Sequence, residues 1–483
     1  MMKRVLGFLA ALLILSSCRP SVGGVSSPSS GYDFSRTFED FWNGMNRNYV
    51  YWDREPTSLW DTVLAALPAE TREFILAHPA SFWDLMYDYY KPKFDELGVF
   101  ADTFSPGYSD AAQKAEEYFR GITSGLVDGH FRVYFASGEL FFPGQNRFLY
   151  NTLANDPAWA NAVFASSDLS GTSVDFSDVD PGNPAGPTGY FAKYNFVDMV
   201  LKKYMTVIDS VTVGPEELPG MLAGPWKIAA GKIPHSGGGN GFIAYIFTNY
   251  CYFKDAFDSE SLVSSVQSGR VGEVIDAFFD SLKDSGVKGV IVDVRGNMGG
   301  NPADNPFLFG RMIDSPLAFA YSRSKSGEGR LDYSPWTPVR IIPAPTTEKR
   351  LADTTIPIAL LADRGTFSGA EFHAMIVKSM PNGRVIGENT NGSASNTVDS
   401  LAYNGGAFAM NSIISRVAGS VVQYKGADGS IYEGFGVPPD IEVPMSRSDW
   451  ENFFGVNGAK IADKRLEEAI KRIDPETTLL PLP

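Results

Sequence analysis

Two patterns of hydrophobic and polar positions divide the chain. Between residues 32 and 130, bulky apolar residues recur every three or four positions, as in FEDFWNGMNRNYVYW and SFWDLMYDYYKPKFDEL. This spacing predicts amphipathic helices with an aromatic core. From Gly241 onward, short apolar runs such as GFIAYIFTNY, GVIVDV and IPIALLAD alternate with amphipathic stretches such as VGEVIDAFFDSLKDSG. The alternation predicts parallel strands with helices packed on the sheet. The expected fold class is therefore α/β with an additional N-terminal helical domain.

These patterns, with the N-terminal signal described below, give five predicted segments. Residues 1–18 are a signal peptide and residues 19–31 a flexible tether. Residues 32–130 form the helical domain. Residues 131–231 are a variable mixed region, rich in Gly, Pro and Asp around DLSGTSVDFSDVDPGNPAGPTGYF, that could hold a degenerate PDZ-like insert. Residues 232–483 form the α/β domain.

The N-terminus predicts export. A basic start, MMKR, precedes the apolar run VLGFLAALLIL, which is too short to span a bilayer as a mature helix. The run ends in LSSC, which resembles a bacterial lipoprotein signal with Cys18 acylated; the alternative is an ordinary secretory signal with an incidental cysteine. The Ser-, Gly- and Pro-rich RPSVGGVSSPSSG would tether the protein to the membrane. We expect a cell-envelope location, with Arg19 after the cysteine favouring the outer membrane.

The composition and the motifs of the chain argue against several classes of function. Besides Cys18 the chain has a single cysteine, Cys251, so it has neither a disulfide framework nor a cysteine metal cluster. The net charge of −15, with acidic residues scattered along the chain, argues against nucleic acid as a partner. Neither HExxH nor a phosphate-binding GxxxxGK[ST] occurs, and no GxGxxG follows a strand. We therefore predict no metal and no cofactor.

Ser368 is the strongest candidate for a reactive group. It lies between the predicted strand IPIALLAD and a helix, and the backbone N–H of Gly369 there could supply half of an oxyanion hole. The alternative is a helix N-cap, with Glu371 completing an S-x-x-E capping box. Gly299 and Gly300 follow the strand VIVDV and should reach the same edge of the sheet, where ligands collect. In isolation they would be only a glycine-rich turn.

A nucleophilic serine needs a base, and the chain offers four histidines. His373 lies five residues after Ser368, about 140° around the helix, so it should point away. His78 lies at a helix boundary and His235 in a loop. His130, in LVDGHFRVYF, lies where a helix ends and a strand begins, so two elements could hold it facing a cleft. By chemistry alone it is only modestly better placed than His235.

Five motifs together resemble one family. LVDGH, GVIVDVRGNMGG, TFSGAE, VIGE and EGFGVPPDIEV occur in the order and spacing of the C-terminal processing peptidases and the tricorn core protease. The resemblance implies a crotonase/ClpP-like α/β core and a nucleophilic Ser368. The processing peptidases use a lysine in GExTxGK, but here GENTNGS places Ser393 at that position, and Lys378 lies too far along the helix. The tricorn branch uses a histidine and a glutamate, which correspond to His130 and Glu433.

The resemblance also implies a mechanism. His130 would take the proton of the nucleophile and give it to the leaving amine, and Glu433 would orient the imidazole. Gly369, with Gly299 or Gly300, would hold the oxyanion. The substrate would be a peptide or an unfolded protein. No PDZ signature and no basic anchor for substrate termini can be placed, so a preference for C-terminal tails is not implied.

The predicted function is that of a lipid-anchored serine endopeptidase. The main alternative is a non-catalytic lipoprotein on the same fold that binds peptide, lipid or glycan, because one fold can carry unrelated functions. It predicts an apolar pocket and no role for Ser368. Binding of glycan by the aromatic residues between 32 and 130 is a further alternative, although their helical spacing indicates a core.

Overall fold

The computed structural model describes most of the chain. The described residues are 32–57, 60–65, 69–77, 81–138, 140–141, 203–213, 226–235, 240–258, 266–396, 413–454 and 462–475. The predicted signal peptide with Cys18, the tether and most of the 131–231 segment lie outside these ranges, and so does the PDZ-like insert considered there.

Helices and strands follow the order expected from the hydrophobic patterns. The described helices are α1 (Phe34–Asn48), α2 (Asp61–Ala65), α3 (Ala69–Ala77), α4 (Ser81–Asp95), α5 (Tyr108–Thr123), α6 (Phe253–Asp258), α7 (Val266–Leu282), α8 (Asp304–Phe309), α9 (Gly369–Ser379), α10 (Arg447–Phe454) and α11 (Lys464–Ile473). The described strands are β1 (Tyr32–Asp33), β2 (Val99–Phe100), β3 (Arg132–Phe135), β4 (Leu140–Phe141), β5 (Thr206–Val213), β6 (Trp226–Pro234), β7 (Phe242–Thr248), β8 (Val287–Asp293), β9 (Leu317–Arg323), β10 (Thr337–Ile341), β11 (Ile358–Ala362), β12 (Gly383–Gly387), β13 (Ile414–Ala418), β14 (Gln423–Gly426) and β15 (Ile441–Glu442).

The aromatic stripes of α1, α4 and α5 form the core of the helical region. Phe38 stacks on Phe94 with ring centroids 4.7 Å apart, and Trp42 stacks on Trp83 at 4.2 Å. Asp33 caps α1 by accepting a hydrogen bond from a backbone N–H of the first turn. Burial of large rings accounts for the helical spacing of these aromatic residues.

A seven-stranded sheet forms the α/β core, in the order β15-β12-β11-β8-β7-β6-β5. The strands from β7 to β15 in this sheet pair in parallel, and β5 and β6 add an antiparallel edge. This confirms the predicted α/β fold class. The sheet begins earlier than the predicted boundary at residue 232, which falls inside β6.

Two three-stranded sheets flank the core and bring distant segments together. One has the order β13-β3-β4 and the other β10-β9-β14. Phe131 and Val133, at the start of β3, are buried in the same cluster as the helical region and residues of β13. The end of the helical region is therefore fixed against the C-terminal half. Within the described ranges, no helix combines the length and apolar character needed to cross a membrane.

Candidate active site

Ser368 occupies a strained turn between β11 and α9. Its backbone has φ 54° and ψ −120°, and it is the one non-glycine residue with positive φ in the part of the chain that the structure describes. Such strain persists only where the surroundings impose it. The partly exposed side chain places Oγ 3.0 Å from Nε2 of His130. The strand-to-helix turn thus directs the hydroxyl out of the helix towards an imidazole.

The side chain of Glu371 holds this turn in place through hydrogen bonds. Its buried carboxylate accepts hydrogen bonds from the backbone N–H of Ser368 (3.1 Å), the hydroxyl of Thr390 (2.6 Å) and the N–H groups of Gly392 (2.7 Å) and Ser393 (2.6 Å). Burial raises the pKa of Glu371 to about 7, while these donors act in the opposite direction. Glu371 therefore fills its half of a capping box while the serine hydroxyl faces His130, and the two interpretations of Ser368 coexist.

His130 is held by its own backbone and by a neighbouring ring. The backbone N–H of His130 donates a hydrogen bond to Oδ1 of Asp128 (2.8 Å). Asp128 also accepts hydrogen bonds from the backbone N–H and the hydroxyl of Ser420 (both 2.7 Å). The ring of Phe367 lies 4.7 Å from the imidazole. Burial, with a smaller contribution from the charge of Arg132, lowers the pKa of His130 to about 3. The imidazole is therefore neutral near pH 7 and can accept a proton.

Glu433 supports the histidine loop without contacting the imidazole. Its Oε1 accepts from the backbone N–H of Gly129 (2.8 Å) and its Oε2 from the hydroxyl of Tyr51 (3.0 Å). Burial, followed by the nearby charge of Asp128, raises the pKa of Glu433 well above its usual value. Among the described residues, Nδ1 of His130 has no hydrogen-bond partner. The structure thus brings the three predicted residues together, with the glutamate acting on the backbone next to the histidine.

The glycine turn after β8 packs directly against Ser368. A Cβ placed on Gly299 would lie 2.5 Å from the backbone nitrogen of Gly369 and 2.7 Å from Cβ of Ser368, so only glycine fits. The N–H of Gly299 already donates to Oδ1 of Asn297 (2.8 Å). No acceptor for the N–H of Gly300 or of Gly369 is found within the described part of the chain. Of the two glycines considered for the second donor, Gly300 has the available N–H.

The remaining histidines lie elsewhere. His373 is fully buried between the rings of Phe253 and Phe309, as its angular offset from the serine predicts. His235 contacts the carboxylate of Asp474. His78 lies outside the described residues.

A buried serine, Ser393, occupies the position at which the processing peptidases carry their lysine. Ser393 is fully buried, and its hydroxyl donates to Asn391 (2.7 Å). A Cβ added to Gly129 would lie 1.7 Å from this Oγ, so the serine packs against the histidine loop. Lys378 bonds Asp440 at 2.7 Å further along α9.

The helical region contributes residues that the sequence analysis did not single out. Besides Tyr51, the buried Glu55 accepts from the hydroxyl of Tyr49 and from the backbone N–H of Val127, each at 2.7 Å. These bonds tie the helical region to the loop that carries the histidine. Asp128 had a local signal, because an aspartate two residues before a backbone N–H often caps it. The two tyrosines had none, since they belong to an aromatic stripe.

Residues 259–443 match the model of peptidase family S41. This part of the chain is therefore similar to peptidase family S41. The match agrees with the family that the motifs indicated. The matched segment contains Ser368, Glu433 and the glycine turn but not His130, which the preceding region supplies.

One curated relative and two solved structures extend the comparison. The chain is 23% identical over 214 residues to the nisin-resistance protein of Lactococcus lactis subsp. lactis, a match that covers 42% of this chain and 62% of that relative. The crystal structure of a Parabacteroides merdae protein assigned to the peptidases has a TM-score of 0.51 at 16% identity, covering 92% of this chain and 97% of the other. Mature CPAF has a TM-score of 0.51 at 13% identity, covering 93% and 99%. These two structures share the fold of this chain.

Proposed function

We propose that the protein is a serine endopeptidase that hydrolyses peptides or unfolded proteins through an acyl-enzyme on Ser368. The observation that carries the proposal is the 3.0 Å contact between Oγ of Ser368 and Nε2 of His130, two residues 238 positions apart in the chain. A strained serine at the start of a helix, a neutral imidazole and two adjacent backbone donors are the parts that acyl transfer requires.

Acylation follows from these positions. As Oγ of Ser368 attacks the scissile carbonyl carbon, Nε2 of His130 accepts the hydroxyl proton. The carbonyl oxygen becomes an oxyanion and accepts hydrogen bonds from the backbone N–H groups of Gly369 and Gly300. Each of these donors stabilises the transition state by on the order of 3 kcal/mol. His130 then donates its proton to the amine nitrogen, the C–N bond breaks and the amine leaves. An ester joins Ser368 to the N-terminal part of the substrate.

Deacylation uses the same groups in reverse. His130 takes a proton from a water molecule that attacks the ester carbonyl, and then returns it to Oγ of Ser368 as the acid product leaves. An imidazolium forms twice in this cycle at a buried position. The carboxyl groups of Asp128 and Glu433 are the nearby groups that can stabilise that charge, and Glu433 also holds the loop through Gly129.

We further propose that the protein is anchored at the bacterial cell envelope, on the outer membrane, through a lipid on Cys18. The support is the apolar run ending in LSSC and the Ser-, Gly- and Pro-rich segment after it. Expression of wild type and Cys18→Ala in cells fed a radiolabelled fatty acid tests this. Label and membrane association should both be lost in the variant, and equal labelling of the two would contradict the anchor.

Covalent labelling with a fluorophosphonate tests the peptidase proposal. Wild type, Ser368→Ala and His130→Ala are compared by intact mass and peptide mapping, with His235→Gln as a matched control at a histidine away from the site. One adduct on Ser368, absent from both site variants and present in the control, is expected. Folded wild-type protein without an adduct would instead favour the binding-protein alternative, and an adduct that persisted in His130→Ala would mean that another group is the base.

A further inference from the structure

The side of His130 that faces away from the serine forms a second feature of the site. A ring nitrogen of His130 and one carboxylate oxygen each of Asp128 and Glu433 lie within 4.8 Å of one another. All three side chains are at most 2% exposed. Nε2 faces Ser368, whereas Nδ1 has no hydrogen-bond partner within the described ranges. The imidazole therefore has a buried nitrogen without a hydrogen-bond partner, and two buried carboxyl groups lie close to the ring.

The chemistry of this pocket favours a cation. Two carboxyl groups buried side by side repel each other when both are charged. A positive ion between them would remove that repulsion. An imidazole nitrogen and carboxylate oxygens are ligands that Zn²⁺ accepts, whereas Ca²⁺ requires six to eight oxygen ligands and Mg²⁺ a full octahedron.

The spacing also suits a small transition-metal ion. Zinc binds these ligands at about 2.0–2.2 Å, so two ligand atoms at a tetrahedral site lie roughly 3.4 Å apart. The ligand atoms of the three side chains would therefore need to approach one another by no more than about 1.4 Å. Both carboxyl groups are already oriented from outside, Asp128 by Ser420 and Glu433 by Tyr51 and Gly129. Such outer hydrogen bonds fix the direction of metal ligands.

We propose that Asp128, Nδ1 of His130 and Glu433 bind one Zn²⁺ ion, and that the bound ion switches the peptidase off. The regulatory part rests on the proposed function; the binding part does not. Zinc on Nδ1 uses the lone pair of that nitrogen, so the neutral ring carries its proton on Nε2. Nε2 then donates to Oγ of Ser368 and can no longer accept the hydroxyl proton. The loaded protein therefore has a nucleophile without a base.

Zinc titration of the full-length protein tests both parts. Chelator-stripped protein is incubated with ZnCl₂ and passed through gel filtration; bound zinc is measured by mass spectrometry of the element, and fluorophosphonate labelling in parallel. We expect one Zn²⁺ per chain and a fall in labelling rate of at least tenfold at saturation. Ser368→Ala should bind zinc like wild type. Glu433→Gln should weaken zinc binding by at least about tenfold, the scale seen even for outer partners of metal ligands.

Matched variants separate this site from adventitious binding. His235→Gln removes a histidine that also contacts a carboxylate, and it should leave zinc affinity unchanged. Asp128→Asn should weaken zinc binding as Glu433→Gln does. If Asp128→Asn does not fold, the zinc affinity of Glu433→Gln alone decides whether the site exists. Wild type without a stoichiometric zinc ion, or affinity unchanged in Glu433→Gln, would overturn the site.

Two outcomes distinguish the site from its effect. Zinc bound at one per chain with an unchanged labelling rate would overturn the switch. If metal-free wild type is not labelled at all, the peptidase proposal fails, and the zinc stoichiometry of wild type against Glu433→Gln still decides whether the site exists.

Discussion

The surroundings of His130 and His373 can be compared directly, because both imidazoles are buried and burial lowers the pKa of each to about 3. Near Ser368 in the chain lies His373, whose two ring nitrogens have no hydrogen-bond partner in the described structure and which packs between phenylalanine rings. Far from Ser368 in the chain lies His130, whose Nε2 contacts the serine hydroxyl and whose loop is fixed by carboxylates. Burial and a lowered pKa are therefore common to a packing residue and a candidate base, and only the contacts distinguish them.

The largest expected difference between the two histidines is in the labelling rates of variants that lack one or the other. His130→Ala should lower the second-order rate of fluorophosphonate labelling by about 10²–10⁴-fold, because the base is lost. His373→Leu should stay within about twofold of wild type, since a comparable apolar side chain fills the same core. Both rates are measured on protein shown to be folded by circular dichroism. A large loss in His373→Leu with a small loss in His130→Ala would reverse the assignment.

The second prediction concerns stability against pH. A histidine with a usual pKa near 6.5 protonates in the unfolded chain as pH falls, whereas buried His373 stays neutral down to its lowered pKa, so acid favours unfolding. Between pH 7 and 5 this one residue should remove about 2 kcal/mol of unfolding free energy. His373→Leu should lose less stability over that interval by about this amount.

Urea unfolding of both proteins at pH 7 and pH 5 measures this difference. His235→Gln serves as the control for removing a histidine outside the core. An equal loss of stability in wild type and in His373→Leu would contradict the account of His373 as a neutral, desolvated side chain.

The third prediction concerns the hydrogen bonds that support the loop of His130. Tyr51→Phe removes the donor to Oε2 of Glu433, and a hydrogen bond of this kind is worth about 1 kcal/mol, so labelling should slow by roughly fivefold. Tyr87→Phe in the same helical region removes a hydroxyl that bonds Glu39 and should have no effect on the rate. Equal rates for the two variants would show that Glu433 keeps its position without the tyrosine.

The smallest effect is expected in the pH profile of labelling. An imidazole with an ordinary pKa of 6.5 is only about 3% neutral at pH 5. Because burial lowers the pKa of His130, the base should remain neutral there, and the labelling rate at pH 5 should be within about twofold of that at pH 7. A fall of tenfold or more would mean that the nearby carboxyl groups hold the pKa of His130 close to its ordinary value.

Local patterns predicted the α/β class and the position of Ser368, because strand and helix periodicity and the glycines after strands are properties of neighbouring residues. The start of the sheet was missed since β5 pairs with β6 across a segment without clear periodicity. The choice between Gly299 and Gly300 depended on the hydrogen bond that Oδ1 of Asn297 accepts from the backbone N–H of Gly299, and no sequence spacing reveals that bond.

His130 illustrates the limit of sequence reasoning most clearly. Its residue chemistry set it only modestly above His235, and the family motif raised it. Tyr51 had no signal, because its partner Glu433 lies 382 positions away and its aromatic ring follows a helical stripe. Contacts between segments that are distant in the chain carry most of the site, and they appear only when the chain is folded.

The separation of the site residues along the chain also sets the order in which the site is synthesised. A ribosome produces the histidine first, the serine more than two hundred residues later and the glutamate later still. A nascent chain or an early truncation therefore contains the proposed base without the proposed nucleophile, and a fragment with only the matched segment contains the proposed nucleophile without the proposed base. Under the proposed mechanism, neither product could form the acyl-enzyme.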